Sequence, residues 1–454
     1  MTKHEALQPN LEQIHFWELY EEDLMVEYTQ SVEEGLDVAH LEELMKAVSK
    51  LPRSPHKQEL GTTIFHMISE AKQREGYPYN EPSDLESIRA LRKAHEFSAV
   101  IPTTEQLKEK IRGAWLGRTV GCLLGKPVEG FMTEDLLPVL KNSGNYPLHR
   151  YINAADMPQH LYEKYPYPLS SKPFGDLVDG MPVDDDTNYT VLSQLLIEKY
   201  GREFTPYDLS RLWLDTQRKD AYCTAERVAY KNFVNGFVPT QSAIYKNPYR
   251  EWIGAQIRGD YFGYINPGNA ELAAEMAFRD ASISHIKNGI YGEMWAAAMI
   301  ACAATTENIK DIILGGLAQI PQSSRLYEAI SGVLTDWENG MTQEACFAKI
   351  HQTYDEHSTH DWCHTISNAV IVAAVLLYGE GDFSRSICMA VETGFDTDCN
   401  GATVGSILGM RNGASSIDEQ WLKPLNDTIH TSIFGVGRTI PIRTRDNVLS
   451  RLLR

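Results

Sequence analysis

Two short acidic clusters carry the residues best suited to chemistry. The first is Asp184-Asp185-Asp186-Thr187; the second is Asp396-Thr397-Asp398-Cys399-Asn400, set between Gly394 and Gly401. Carboxylates packed this densely repel one another, so gathering them in one site is unfavourable unless cations neutralise them. Oxygen ligands without neighbouring histidine suit hard ions such as Mg²⁺, Mn²⁺ or Ca²⁺ rather than zinc. The pattern predicts a hydrolase built on paired metal ions. Each cluster also has a plainer reading. Asp and Thr at a helix start accept backbone N–H bonds and suit the helix dipole, and an Asp-rich turn can simply be solvated. One aspartate would serve as a cap, however, and three in a row exceed that need. In an extended or turning segment residues two apart project to the same side, so Asp396 and Asp398 could reach one ion.

These clusters need rigid elements behind them. The segment IRGAWLGRTVGCLLGKPVEG places Gly113, Gly117, Gly121 and Gly125 at intervals of four, and Gly401, Gly405 and Gly409 repeat the interval after the second cluster. On a helix this spacing makes a smooth ridge that permits very close backbone approach. Arg118 and Lys126 argue against a membrane version of that packing, so a buried helix leading to Pro127 and Glu129 is expected. TNYTVLSQLLIEKYG reads as an amphipathic helix ended by Gly201. Further helices are expected at 206–216, 224–234, 270–285, 291–304, 309–318, 325–337, 342–354 and 364–378. Residues 135–180, rich in Pro, Gly, Tyr and Asp, read as a long loop region. Alternating strand patterns are scarce, which predicts an all-α domain. Residues 1–104 form a helical N-terminal extension that packs on the main body or a partner and carries no evident chemistry. Residues 105–454 form the catalytic domain.

Composition bounds the rest. The chain has 454 residues, 43% hydrophobic and 23% charged, which is ordinary for a soluble globular protein. A formal net charge of -19 argues against a sequence-independent grip on nucleic acid, which needs a basic surface. The seven cysteines are scattered with no Cys-x-x-Cys pair, so neither a disulfide framework nor a structural zinc site is expected. The start lacks an apolar signal core, and the longest apolar run falls short of the ~20 residues that span a bilayer. A cytoplasmic protein without a membrane partner is expected; the oligomeric state is left open.

GAWLGRTVGCLLGKPVEG, then DDDT, then DTDCNGATVGSILG, in this order, resemble the ADP-ribosylglycohydrolase family, the group containing the hydrolase that releases ADP-ribose from dinitrogenase reductase. The similarity covers roughly 110–440. It implies a compact orthogonal bundle of helices with two divalent cations, Mg²⁺ or alternatively Mn²⁺, in a central cleft where the anomeric bond of a ribose is hydrolysed. Carried over, the metal-facing residues are Asp184, Asp185, Asp186, Asp396, Asp398 and Cys399. The family usually has Ser or Thr at Asp184 and Thr at Cys399, and a neutral thiol is a poor Mg²⁺ ligand. Glu129 matches a glutamate that covers the cleft and assists proton transfer or water positioning, and Asp186 is the second catalytic candidate.

Substrate contacts implied by the resemblance are Gly254, Arg258, His285, Gly292 and Asn400. Relatives often carry Gly-Asn-Gly-x-x-Met-Arg to hold the distal phosphate. Here the stretch is Trp252-Ile253-Gly254-Ala255-Gln256-Ile257-Arg258, so the Asn and first Gly are lost. Ser284-His285 matches a family Thr-His, and the glycines of NGIYGEMW, Gly292 among them, suit a loop along the cleft. Trp362 and His364 also stand as cleft candidates. The expected activity is metal-dependent hydrolysis of an ADP-ribosyl group on protein or small molecule. A smaller N- or O-ribosyl metabolite is the alternative substrate, and a non-catalytic, ligand-binding relative is the reading from another class.

Overall fold

The two glycine ridges anticipated from spacing meet each other. A Cβ added to Gly121 would stand 1.9 Å from the Gly401 carbonyl oxygen, one on Gly117 2.0 Å from that of Gly405, and one on Gly113 2.3 Å from that of Gly409. The contact is reciprocal, since a Cβ on Gly405 would lie 2.1 Å from the Gly117 carbonyl oxygen. Helix Thr104–Gly125 and helix Thr397–Asn412 therefore run antiparallel with their backbones touching. Any side chain at these glycines would force the helices apart, so the spacing sets the register as well as the distance. One consequence positions the site: the last turn of the first helix lies against the first turn of the second, with the Thr397 hydroxyl bonded to the Gly125 carbonyl at 3.0 Å.

This computed structural model describes residues 9–165, 169 and 173–442. Around the glycine pair, helices Lys287–Ala303 and Thr365–Tyr378 are buried nearly throughout, from Asn288 to Ala303 and from Thr365 to Leu377. Helices apolar on every face belong in the middle of a bundle, and these two are its centre. Helices Pro206–Thr216, Thr224–Val234, Ala270–Ala281, Ile309–Leu317, Arg325–Glu338 and Gln343–Thr353 pack outside them, close to where periodicity placed them. Among the described residues the named strands are Thr428–His430 and Thr439–Pro441, an antiparallel pair in which Ile429 faces Ile440. The fold is the all-α fold of helices expected from the sequence.

Two expectations need correction. Residues 135–180 are not one loop: Thr133–Asn142 and Gln159–Lys164 are helical, and Leu136, Val139, Leu140 and Leu161 bury their side chains. Pro138 disguises the first of these helices, although its apolar residues keep helical spacing. Part of that stretch, 166–168 and 170–172, lies outside the described residues. Gly292 is likewise not in a loop. It sits inside helix Lys287–Ala303, where a Cβ would meet the Thr365 hydroxyl at 2.5 Å.

The N-terminal segment folds as helices Leu24–Glu33, Glu42–Ser49, Pro55–Ser69 and Leu85–Ala90. Leu24, Val38, Met45, Ile64 and neighbours form a small core of their own. The segment is tied to the body by buried charge: Arg250 meets Glu27 at 2.9 Å and Glu34 at 2.6 Å, while Arg325 meets Glu81 at 2.9 Å. No helix among the described residues is long and apolar enough to cross a membrane.

Candidate metal centre

Both acidic clusters open helices. Asp184 caps helix Asp185–Tyr200 by accepting the Asp186 N–H, and Asp396 occupies the cap position of helix Thr397–Asn412. The Asp396-Thr397-Asp398 segment is thus a helix start rather than an extended strand. Two positive helix ends point at the same place, which favours negative charge there. The antiparallel glycine contact adds the end of helix Thr104–Gly125, from which Lys126 and Glu129 reach into the group. In this way two clusters remote in sequence become neighbours.

The geometry is specific. Lys126 Nζ lies 2.7 Å from Asp184 Oδ2, 2.7 Å from Glu129 Oε2 and 3.3 Å from Asp398 Oδ2. Arg118 binds Asp186 Oδ1 at 2.8 Å and Asp260 at 2.9 Å. The Cys122 thiol donates to Asp184 Oδ1 at 3.2 Å, and the Cys399 thiol donates to Asp186 Oδ2 at 3.2 Å. Ligand-type atoms of Cys122, Asp184, Asp186 and Asp398 lie within 4.8 Å of one another, as do those of Asp396, Asp398 and Cys399. Asp184, Asp186, Asp396, Asp398 and Cys399 are buried, whereas Asp185 and Glu129 keep partial exposure.

The electrostatics show that the chain's own cations do not balance this group. Burial and the Asp398 charge push the Glu129 carboxyl up to about 8, against the pull of Lys126. Burial and the Asp184 charge push Asp185 up to about 7. Burial, and for Asp396 the charge of Asp398, holds Asp186, Asp396 and Asp398 above the usual carboxylate range as well. Asp184 alone goes down, because Lys126 outweighs its burial. Burial and the surrounding carboxylates raise both thiols, so Cys122 and Cys399 are neutral donors. A buried site that keeps its carboxylates this reluctant to ionise either retains protons or accepts further positive charge.

Asp396 Oδ1 and Asp398 Oδ1 are buried without a hydrogen-bond partner. Buried carboxylate oxygens without a partner call for an explanation, and a bound cation is one; Asp260 and Glu293 also hold such oxygens, but each lies beside an arginine. The Asp396 and Asp398 oxygens are hard donors, and the donor set fits a divalent cation. By contrast, Asp184 and Asp186 have both oxygens engaged by the chain. Cys399 lies beside the unpaired oxygens as a neutral thiol, a weak ligand for such an ion.

The ADP-ribosylglycohydrolase family model matches residues 103–446. This chain belongs to the ADP-ribosylglycohydrolase family. A protein of Archaeoglobus fulgidus, described only as uncharacterized, is 25% identical over 327 residues, spanning 71% of this chain and 93% of its own length. A solved structure of an ADP-ribosylglycohydrolase-related protein complex covers 77% of this chain and 98% of its own, at 17% identity and a TM-score of 0.49.

The residues carried over for substrate binding differ in their surroundings. Arg258 is fully buried, bonding Asp280 at 2.5 Å and Glu226 at 2.8 Å, with Glu293 at 3.6 Å. An arginine enclosed by three carboxylates acts as a structural tie within the fold. His285 is also fully buried, its Nδ1 paired with the Ser284 hydroxyl at 2.8 Å; burial and Arg258 hold it well below the usual imidazole range. Gly254 keeps some exposure and abuts the Glu226 carboxylate, where a Cβ would stand 2.2 Å from an oxygen. Asn400 is buried beside the centre and donates to Asn368 at 2.8 Å; the same Asn368 oxygen accepts the Asp396 N–H at 3.3 Å. Asn400 thus shares with Asp396 the anchor that fixes the cluster.

His364 faces away from the centre, toward Glu33 at 3.7 Å and Glu251 at 3.6 Å. Glu33, His360 and His364 form a further group of metal-ligand type. Here the ring tautomers speak against an ion. His360 Nδ1 accepts the Trp252 indole N–H, and His364 Nδ1 accepts the Ile366 N–H. Both Nε2 atoms therefore carry the ring hydrogen; that of His360 donates to Glu33 at 3.2 Å, while that of His364 lies 3.7 Å from Glu33 without a hydrogen bond. Trp252 packs with Ala225, Val228 and Tyr249, and Trp17 and Val26 of the N-terminal segment lie against that patch. Docking of that segment gives this chain's departure at Trp252 a structural reason.

Three partners of the centre escaped sequence reasoning: Arg118, Cys122 and Lys126. Their signal was present, since they recur every four residues, one position after each ridge glycine, and so follow one face of the helix to its C-terminal cap at Lys126.

Proposed function

We propose that this protein hydrolyses the anomeric bond of a ribosyl group, most simply an ADP-ribosyl group, at the cleft around residues 184–186 and 396–398. The observation that carries the reading is the pair of unpaired, buried carboxylate oxygens at Asp396 and Asp398, with Glu129 at the rim. Asp396 and Asp398, with Asp185, would hold a divalent ion, Mg²⁺ or Mn²⁺. When bound, such an ion orients ribose hydroxyls and lowers the pKa of a water near the anomeric carbon.

The chain's own residues supply the rest. Glu129, which burial and the Asp398 charge raise in the metal-free protein, stands at the rim where it can act as general acid or base toward the departing group. Lys126 fixes the Glu129 carboxyl by the 2.7 Å contact, so the proton is offered from a set direction. Asp185, partly exposed at the helix start, is placed to stabilise the positive charge that develops on the sugar ring. Arg118 and Cys399 hold Asp186, whose part is to orient the cluster rather than to react.

A second reading keeps the reaction and shortens the substrate. Arg258 is enclosed by carboxylates, and Trp252 and Ile253 are buried where relatives hold a phosphate. These features favour a smaller N- or O-ribosyl compound. The test is to incubate the Mg²⁺-loaded protein with an ADP-ribosylated protein, a free ADP-ribosyl amide and a simple riboside. Release of ADP-ribose or ribose that stops with excess chelator is expected. Absence of anomeric hydrolysis on all three, or full activity in chelator, would overturn the reading.

A further inference from the structure

The resemblance implies two cations, yet the chain already places one of its own among the carboxylates. Lys126 Nζ touches three oxygens from three separate segments: Asp184 and Glu129 at 2.7 Å, and Asp398 at 3.3 Å. The ammonium donates to Glu129 and Asp398 and pairs by charge with Asp184, so all three carboxylates share one cation. Asp184 and Asp398 come from the two clusters that an ion pair would bridge, so Lys126 lies between the very ligands such a pair would share.

The remaining oxygens tell the same story. Asp184 Oδ1 accepts the Asp186 N–H at 2.9 Å and the Cys122 thiol at 3.2 Å. Asp186 Oδ1 is bound by Arg118 and its Oδ2 by the Cys399 thiol. Asp396 Oδ1 and Asp398 Oδ1 alone, among the buried oxygens of these four aspartates, have neither hydrogen-bond nor ion-pair partner. Asp184 stands where the resemblance implies Ser or Thr, and its carboxylate is matched by the Lys126 ammonium at 2.7 Å.

We propose that the Lys126 ammonium replaces one of the two cations, so that the centre takes a single divalent ion at Asp396 and Asp398. This rests on the metal reading above. A second divalent ion held by Asp184 and Asp398 would lie against the ammonium, and like charges that close in a buried site exclude each other.

The test counts ions. Full-length protein stripped with chelator is titrated with Mn²⁺ by calorimetry, and the loaded form is read by low-temperature electron paramagnetic resonance. One ion per chain and the hyperfine pattern of an isolated Mn²⁺ are expected. Lys126→Met, or Lys126→Gln if the methionine variant does not fold, should take a second ion and show the signal of a coupled pair. Two ions on the unmodified chain would overturn the proposal and leave the metal reading standing. No ion at all would overturn the metal reading itself. A folded Lys126 variant that still binds one ion would show that Lys126 does not fill the second place.

Discussion

Two buried regions of this protein are crowded with carboxylates, and they are balanced in opposite senses. In the seam under the N-terminal segment, Glu27, Glu34, Glu81 and Glu251 face Arg250, Lys287 and Arg325 in close pairs. Burial alone would raise Glu251, but Arg325 and His364 more than offset it and hold its carboxyl well below the usual range. At the candidate metal centre the same residue types are buried or half-buried, yet Glu129, Asp185, Asp186, Asp396 and Asp398 are all pushed up. Burial is common to both, so pairing decides the sign. A matched seam holds segments together. An unmatched cluster keeps an affinity for something the chain does not supply.

Breaking the two regions should therefore give opposite outcomes. The largest effect is expected from Asp396→Asn or Asp398→Asn. Either should abolish Mn²⁺ binding and turnover, while thermal unfolding of the metal-free protein stays level or rises because repulsion is relieved. A large loss of stability in both would erase the contrast. Next comes Arg325→Met in the seam. Removing one partner of a buried pair leaves the others uncompensated, at about 3–5 kcal/mol, read from urea unfolding, with the number of bound ions unchanged.

Gly125→Ala should fall between the regions in character and below them in size. Its Cβ would press on the Thr397 carbonyl oxygen from 2.3 Å. Overpacking of this kind costs about 1–3 kcal/mol, and calorimetry should show weakened ion binding because Lys126 and Asp398 move apart. The seam should be untouched.

The smallest effect, and the sharpest for the comparison, is the pH profile of metal-free protein. Glu251 is depressed in the fold, so its contribution is present above the ordinary carboxylate value of ~4.3 and disappears as pH falls through the folded value. Glu129 is raised to about 8, so its contribution is full below the ordinary value and disappears as pH rises toward 8. Thermal unfolding in chelator should be highest near the ordinary carboxylate value, falling below it as Glu251 takes up a proton and falling above it toward pH 8 as Glu129 is made to ionise. A profile flat above neutrality would mean the centre is balanced after all.

Much of this was legible in the sequence, and the divide is physical. Local patterns survived: the glycine ridges, the helix ended by Gly201 and the acidic start at Asp184 are all set by neighbours within a turn or two, whereas Asp396 and Asp398 proved to open a helix. Pairings across the bundle were not legible. Arg258 looked available because its partners Glu226, Asp280 and Glu293 come from three other elements. The Thr133–Asn142 helix was hidden by Pro138, a local signal that buried leucines overrode. Lys126 read only as an argument against a membrane span, because nothing local shows that Asp184 and Asp398 would close around it.

The tight glycine seam also carries a consequence for how the molecule is made. Thr397 and Gly125, bonded in the finished protein, are 272 residues apart, so at ~5–20 residues per second the ribosome needs roughly 14–54 s to bring one after the other. Throughout that interval the early helix leaves the exit tunnel with a bare stripe of backbone and no mate. Nascent chains halted before residue 397 should accordingly be held by chaperones and cut readily by proteases, however complete their first three hundred residues look.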